Sequence, residues 1–492
     1  MAMTAFQVFM KYVCRLLIIS IIPAIVSGCE FEKSFEMLER PYTCSDFGGI
    51  RRDEGYSCAI CKDGSILITG VTDSVNGTLK NVRDLTIDKN KTIYRVKDLW
   101  KLRRDKDLWI LKIEPKENKI LYNKCLGGSD DDRGYSIAET RDGNIIVAGT
   151  TRSTDGDLEG VMSGIASVEF SLRNSNSLWI LKINPREDKI LYNKRFGGID
   201  DSAGYSSSIG ETRDGNIIVT GSIKFENKLE TSEPTHDGYE LLVLVLDPEK
   251  NKVIYKRCFG GEKDEHGVSI VEEENGHLIV TGTTNSIDGD APKVGFRFGK
   301  SSKSDPDIWL LKIDPKNDKI LYNKRFGGNK LDIATSAIKC DDNSILIAGF
   351  TGSKDGHLLG KRIGSENDFD AWLLKVDIAK DKILYNRCFV TPGENCRIAA
   401  ISQTRDNCIH IAAIQISRPR GVFSGTLVTE INPNLLGKKQ IQYSRLFKEE
   451  ANAIASTDDG KIIMTGLSRG KYKNLNLFLL KIDPPSPESP IN

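Results

Sequence analysis

The sequence predicts an all-β fold: a seven-bladed β-propeller of four-stranded antiparallel blades, its ring closed by an N-terminal strand that joins the C-terminal blade. Three observations predict it. The phrase KILYNKRFGG at 189–198 recurs letter for letter at 319–328, with near copies ending at Gly128, Gly261 and Val390. Each repeat around that phrase holds four apolar runs of strand length. The last repeat lacks its fourth run, and a lone copy of that run stands near the N-terminus.

In the first complete cycle the runs read YSIAET, NIIVAGTT, LWILKI and KILYNKRF, here called A, B, C and D. RDGN joins A to B, and an Asp-Gly pair between apolar runs is a strong hairpin signal. NPRED joins C to D and is again turn chemistry. Run B, with Ile145, Ile146 and Val147, is apolar on both sides of the pleat. A strand reads that way when its sheet is covered on both faces. One repeat cannot bury its own apolar faces, so the units stack on one another. The A–B signature begins at Gly55, Gly134, Ser207, Gly267, Ala334, Ile398 and Ala451, which makes about seven blades. The final unit has A, B and C, then runs into PPSPESPIN. Its missing D strand is YTCSDFGG at 42–49, and that closure removes an exposed edge.

The pattern FGGxDD, then YSI, then DGNIIVAGTT, resembles the seven-bladed β-propeller repeat of secreted and surface bacterial proteins. The resemblance covers nearly all of 42–484. It implies the fold and no particular activity, since such propellers host unrelated roles. The sixth unit departs most, with CFVTPGENC where the others carry Phe-Gly-Gly.

The N-terminus reads as a targeting segment. Lys11 and Arg15 precede the apolar run LLIISIIPAIV, too short to span a bilayer and suited to a signal peptide. It ends in Val26-Ser27-Gly28-Cys29, which resembles the lipobox of bacterial lipoproteins. That resemblance implies a signal peptide at 1–28, lipid on Cys29 and attachment to a membrane without spanning it. A plain secretory signal is the alternative. The remaining organisation is a lipid-anchored tether at 29–41, the propeller at 42–484 and a Pro-rich tail at 485–492. Fully extended, the tether reaches about 40 Å. The expected location is the bacterial cell envelope, on the extracytoplasmic side of a membrane.

Charge is balanced, with 69 Lys+Arg against 68 Asp+Glu. No basic block is interleaved with aromatics, so nucleic acid is not an expected partner.

Strand order fixes which connections share a face. B→C and D→A connections lie at one end of the ring, and the short A→B and C→D turns at the other. The B→C connections carry most of the length variation, and variable loops on a rigid scaffold usually carry function. Four of them open alike, at Thr72, Thr151, Thr284 and Thr351. Asp155, Asp157, Asp288, Asp290 and Asp355 in these loops are ligand-binding candidates, offering hard oxygens to a glycan or to Ca²⁺. The competing reading is a turn in which Asp caps backbone N–H groups and Gly takes positive φ. The D→A crossings bring further acids to the same face: Asp130, Asp131, Asp132, Asp200, Asp201, Asp264, Glu265 and Asp332. One structural acid per blade, or an acidic rim around the channel, both fit.

Trp109, Trp179, Trp309 and Trp372 share one register in strand C and read as core. Trp100 breaks the register. It lies in the first long loop beside Lys97, Lys101, Arg103, Arg104 and Lys106, as a candidate for gripping a partner or for covering the blade edge. Cys14 and Cys29 belong to the targeting segment, leaving nine of the 11 cysteines. An odd number cannot all pair. Cys58 and Cys61, three apart on one strand, point to opposite faces and suit neither metal nor redox chemistry. Cys396 and Cys408 are the two that could pair within the sixth unit, and the sequence does not decide between a bridge and two thiols.

HExxH, GxSxG and phosphate-loop motifs are absent, and the five histidines form no clear metal set. The expectation is a membrane-anchored, non-enzymatic binding or scaffold propeller. It has no catalytic residues, metal or obligatory cofactor, and binds protein or glycan through the long loops of one face. The alternatives are a polysaccharide-acting propeller enzyme using loop carboxylates and an envelope assembly scaffold.

Overall fold

The computed structural model describes residues 41–49, 51–74, 78, 106–159, 161, 176–196, 208–223, 238–292, 305–361, 368–389, 394–404, 407–417, 422–432, 441–469 and 475–483. Cys29, the signal segment, the tether up to residue 40, Trp100 with Lys97, Lys101, Arg103 and Arg104, Asp200, Asp201 and the Pro-rich tail lie outside them, while Lys106 is described and pairs with Asp131.

Seven four-stranded antiparallel sheets form the chain. The blades occupy 53–126, 132–196, 208–259, 265–326, 332–389, 394–447 and 450–482. Blade 4 shows the pattern. Strand A is Glu265–Glu272, B is Leu278–Thr284, C is Asp307–Asp314 and D is Lys319–Phe326. Strand A of each blade neighbours strand A of the next, and blade 7 returns to blade 1, so the A strands line the axis. The outer strand of blade 7 is Tyr42–Phe47, in register from Tyr42 opposite Ile482 to Phe47 opposite Leu477. Asp483 N–H donates to the Pro41 carbonyl at 2.9 Å, so the chain's two described ends meet at the short-turn face.

The core is not one cluster but seven, and each spans a seam between adjacent blades. Trp309 of blade 4 packs with Leu241, Val243 and Phe259 of blade 3, and Trp179 of blade 2 packs with Leu108 and Leu126 of blade 1. Both faces of each sheet are therefore apolar, which is why strand B is buried along nearly its whole length. The AGT and TGT motifs have a local cause. Strand A carries a bulge, as between Gly134 and Ser136, that drives its backbone onto strand B. A Cβ at Gly149 would collide with the carbonyl of Arg133.

The repeated D phrase stitches neighbouring blades. Tyr122 Oη and Lys124 Nζ of blade 1 donate to Asp188 of blade 2 at 2.8 and 2.7 Å. Tyr255 and Arg257 of blade 3 reach Asp318 of blade 4, and Tyr322 and Lys324 of blade 4 reach Asp381 of blade 5. Each acceptor is the positive-φ residue of a C→D turn, with φ of 50°, 51° and 53°, where Asp and Asn are tolerated best.

Asn in the same phrase ties the indole to the loop above it. Trp309 Nε1 donates to Asn323 Oδ1 at 2.8 Å, and Asn323 Nδ2 donates to the Asp290 carbonyl at 2.7 Å. The same relay runs through Asn123, Asn193 and Asn386. Replacing Asn323 with Leu strands an indole N–H and a loop carbonyl. Urea melts should show a loss of about 2 kcal/mol; an unchanged midpoint would remove this relay from the list of what holds the loops.

Candidate functional site

The long-loop face is built from three bonded layers, which occur together in blades 2, 4 and 5. Deepest is an acid at the start of strand A. In blade 2, Asp132 Oδ2 accepts from Gly128 N at 2.9 Å and from Ser153 Oγ at 2.7 Å. In blade 5, Asp332 accepts from Gly328 N and Ser353 Oγ at 2.8 and 2.7 Å. In blade 1, Asp53 accepts from Gly49 N, Thr72 Oγ1 and Ser74 Oγ. Glu265 takes the role in blade 4, from Gly261 N and Thr284 Oγ1. All four are fully buried. Burial pushes the carboxyls of Asp53 and Asp132 up to about 6 and that of Asp332 up to about 7, and raises Glu265 as well.

The middle layer is the turn that opens the B→C loop, Asp-Gly-Asp in blades 2 and 4 and Asp-Gly-His in blade 5. Asp155 Oδ1 accepts from Ser129 N at 2.7 Å, Asp288 Oδ1 from Glu262 N at 2.8 Å, and Asp355 Oδ1 from Asn329 N at 2.7 Å. Each bond fastens a B→C loop to the D→A crossing beneath it. Asp157 Oδ2 accepts from Gly127 N at 2.9 Å, and Asp290 Oδ1 pairs with Arg257 Nη2 at 2.9 Å. Burial raises the Asp157 carboxyl. The glycine between the acids sits at positive φ, +60° at Gly289, with its α-carbon against the crossing. The outer layer is the Trp–Asn relay to the carbonyl of the same turn.

Each of the five loop acids thus has an internal partner, and they lie in three different blades. Among the described residues, no three of them come within reach of a shared ion; the one group of three metal-type donors is Cys61, Asp63 and Glu139 on the opposite face. Lys112 Nζ already lies 3.0 Å from Asp63 and 3.6 Å from Glu139 there. Gly289→Ala should cost about 3 kcal/mol through left-handed strain and collision with the crossing, and Asp288→Ala about 1 kcal/mol. Urea melts of the two variants check the ranking, and equal losses would mean the turn is not seated on the crossing.

One carboxylate pair resembles an acid/base couple. Asp307 and Asp332 both approach Gly327, and Arg325 donates to Asp307 from Nε at 3.1 Å and Nη2 at 2.5 Å. Burial, with Asp307 adding to it, drives Asp332 upward, while the guanidinium charge sits on Asp307. Both side chains are buried, which shuts out a polysaccharide, and raised acids recur in four blades rather than at one place.

None of the nine described cysteines forms a disulfide; Cys396 and Cys408 are both buried thiols. Cys58 packs toward blade 7 and Cys61 toward blade 2. His266, His277, His357 and His410 are dispersed over blades 4, 5 and 6, and His236 lies outside the described residues.

The B→C connections are unequal. They span 73–106, 152–176, 224–239, 285–306 and 352–369 in blades 1 to 5, but only 418–421 and 470–474 in blades 6 and 7. The long ones rise from five consecutive blades, a crescent with its gap over blades 6 and 7. The Asn relay and this crescent were not read from the sequence. Asn was visible in the repeated phrase, but its indole partner lies 14 residues earlier and is found only through strand register.

No protein-family profile matches the chain, and no curated protein matches it. Solved structures that it resembles include hydrazine synthase of Kuenenia stuttgartiensis, at 9% identity and TM-score 0.46 over 91% of this chain and 98% of that one. A Dyadobacter fermentans protein of unknown function gives 10% and 0.42 over 90% and 99%. The Dos1 propeller gives 7% and 0.42 over 90% and 94%. These names describe those proteins, and scores at this level transfer no activity to this chain.

Proposed function

We propose that the chain is an envelope-anchored binding or scaffold propeller whose crescent of long loops on blades 1 to 5 receives a protein partner. The observation that carries this reading is the division of labour on that face. Among the described residues, the five candidate loop acids and the buried strand-A acids are spent on fastening loops to crossings, and the frame beneath them recurs in blades 1, 2, 4 and 5. What differs from blade to blade is the loops, and variable loops held at both ends by a rigid frame suit recognition of one shaped surface. The first of them carries Trp100 near Arg103 and Arg104, residue types enriched at protein interfaces. Attachment through lipid on Cys29 belongs to the same reading.

The test is a cross-linked pull-down from envelope extract using the chain from Glu30 onward, against a variant whose 79–105 segment is replaced by a short Gly/Ser linker. Recovery of a partner by the parent and not by the variant supports the reading. A glycan array, with and without Ca²⁺, is run beside it. Glycan binding lost in an Asp155→Ala, Asp288→Ala variant that still melts like a folded propeller would overturn it in favour of a lectin. Polysaccharide turnover would overturn it in favour of an enzyme.

A further inference from the structure

On the opposite, short-turn face, one seam departs from the pattern of the others. The second residue of strand B is Leu67, Ile146, Ile218, Ile279, Leu346 and Ile463 in six blades, and it packs into the seam with the following blade. Its strand C partner is Lys112, Lys182, Lys312, Lys375 or Lys481 in five of them. Blade 6 has His410 opposite Glu430. Burying an imidazole and a carboxylate where an aliphatic side chain serves six times adds a desolvation cost that strand pairing does not require.

The pair is wired to two hydroxyls. His410 is fully buried, with Nε2 2.8 Å from Glu430 Oε2 and Nδ1 2.7 Å from Ser456 Oγ at the end of strand A of blade 7. Ser456 Oγ is 2.5 Å from Ser402 Oγ. Both serines are partly exposed, whereas His410 and Glu430 are buried.

The direction of this chain follows from its one acceptor-only member. With Glu430 ionised, as the proposed role requires, it accepts, Nε2 carries the imidazole proton and Nδ1 presents its lone pair. Ser456 must then donate to Nδ1, and Ser402 donates to Ser456 Oγ. The result is the hydroxyl of a half-buried serine whose proton is directed at a base, and a base held in tautomer and orientation by a carboxylate. Nucleophile, base and orienting acid in hydrogen-bond sequence define an activated serine, whatever their order in the chain.

We propose that Ser456 is a nucleophile for acyl or phosphonyl transfer, with His410 as its base and Glu430 as the residue that positions the base. With a carboxylic ester, Ser456 Oγ bonds to the carbonyl carbon and its proton passes to His410 Nδ1. The C–O bond to the leaving alcohol breaks, and that alcohol departs with the proton from His410. Water then releases the acid by the same route. This site is independent of the loop face, so neither reading falls with the other.

The probe is a fluorophosphonate incubated with the full chain. Ser456 Oγ bonds to phosphorus, the P–F bond breaks, fluoride leaves and His410 takes the proton. The expected result is one adduct, located on Ser456 by peptide mass spectrometry and absent in Ser456→Ala. Labelling should slow at least about 100-fold in His410→Gln and by up to about 10⁴-fold in Glu430→Gln, which keeps size and shape while releasing the tautomer. Should His410→Gln fail to fold by circular dichroism, Glu430→Gln decides. No adduct on Ser456 under conditions that saturate a control serine hydrolase, or equal labelling of a folded Glu430→Gln, would overturn the proposal.

Discussion

A chain that begins at residue 51 should fold poorly, melting far below the parent and associating at micromolar concentration. It lacks the strand Tyr42–Phe47, and strand C of blade 7, Leu475–Ile482, becomes an open edge rich in leucine. Six residues of ladder are lost, together with the buried side chain of Phe47. Three ties go too: Ser468 Oγ to Asp46 Oδ1 at 2.6 Å, Asn118 Nδ2 to Ser45 Oγ at 2.8 Å, and the Arg445 guanidinium over the Tyr42 ring at 4.3 Å. Burial and bonding of this extent are together worth roughly 5 kcal/mol or more, and the unpaired edge invites strand addition between chains. The decisive control is a permuted chain in which 41–49 follows Asp483 through a short linker, starting at residue 51. The Asp483–Pro41 contact shows that the linker need not be long. Scanning calorimetry and light scattering should find the truncated chain impaired and the permuted chain restored. A truncated chain that melts like the parent would show that the ring does not depend on this closure.

The second large effect is a stability that falls as pH rises from about 5 to 8. Asp53, Asp132 and Asp332 have folded values of about 6, 6 and 7, against an ordinary carboxylate value near 4. Between those limits the folded chain holds protons that the unfolded chain has released. Their contribution is therefore complete below about pH 4 and lost as pH climbs through 6 to 7. A tenfold change in proton affinity corresponds to about 1.4 kcal/mol, so the three acids together contribute several kcal/mol. His266 and His357 act against this. Burial lowers both, so their contribution is present above the ordinary histidine value and lost as pH falls through it. At the acid end Asp63, driven up by burial but held down to about 2 by Ser65 and Lys112, contributes stability that is lost below pH 4. Urea melts at pH 5, 6.5 and 8 should rank stability in that order, greatest at pH 5. In Asp332→Asn the deficit relative to the parent should shrink between pH 5 and 8. A parent whose stability is flat or rising over that interval would contradict the buried, protonated state of these acids.

The architecture was legible because it is repetitive. The Asp-Gly hairpins, the doubly apolar B strands and the displaced D strand each pointed to stacked sheets, and the structure has seven of them, closed by 42–47. Trp109, Trp179, Trp309 and Trp372 are buried as their register implied. The site was legible only in part. Asp155, Asp288 and Asp355 could be recognised as turn acids, but the amides they hold belong to crossings some 26 residues away and emerge only when blades are stacked. His410 was visible only as one of five histidines. Its partners come from strand C of the same blade and from the next blade, in the unit that departs most from the repeat. Periodicity shows what the copies share; a change confined to one copy is legible only when register places its neighbours.

The position of Pro41 beside Asp483 also has a directional meaning. The outer strand of blade 7 starts on the short-turn face, so a lipid tether on Cys29, as proposed, would join the disc at that face. With a reach of about 40 Å, it would hold the disc near the bilayer with the hairpins inward and the crescent outward. The anchor would then act as a compass as well as a mooring. It would present blades 1 to 5 to whatever passes through the aqueous side of the envelope, and leave Ser456 on the side turned toward the lipid.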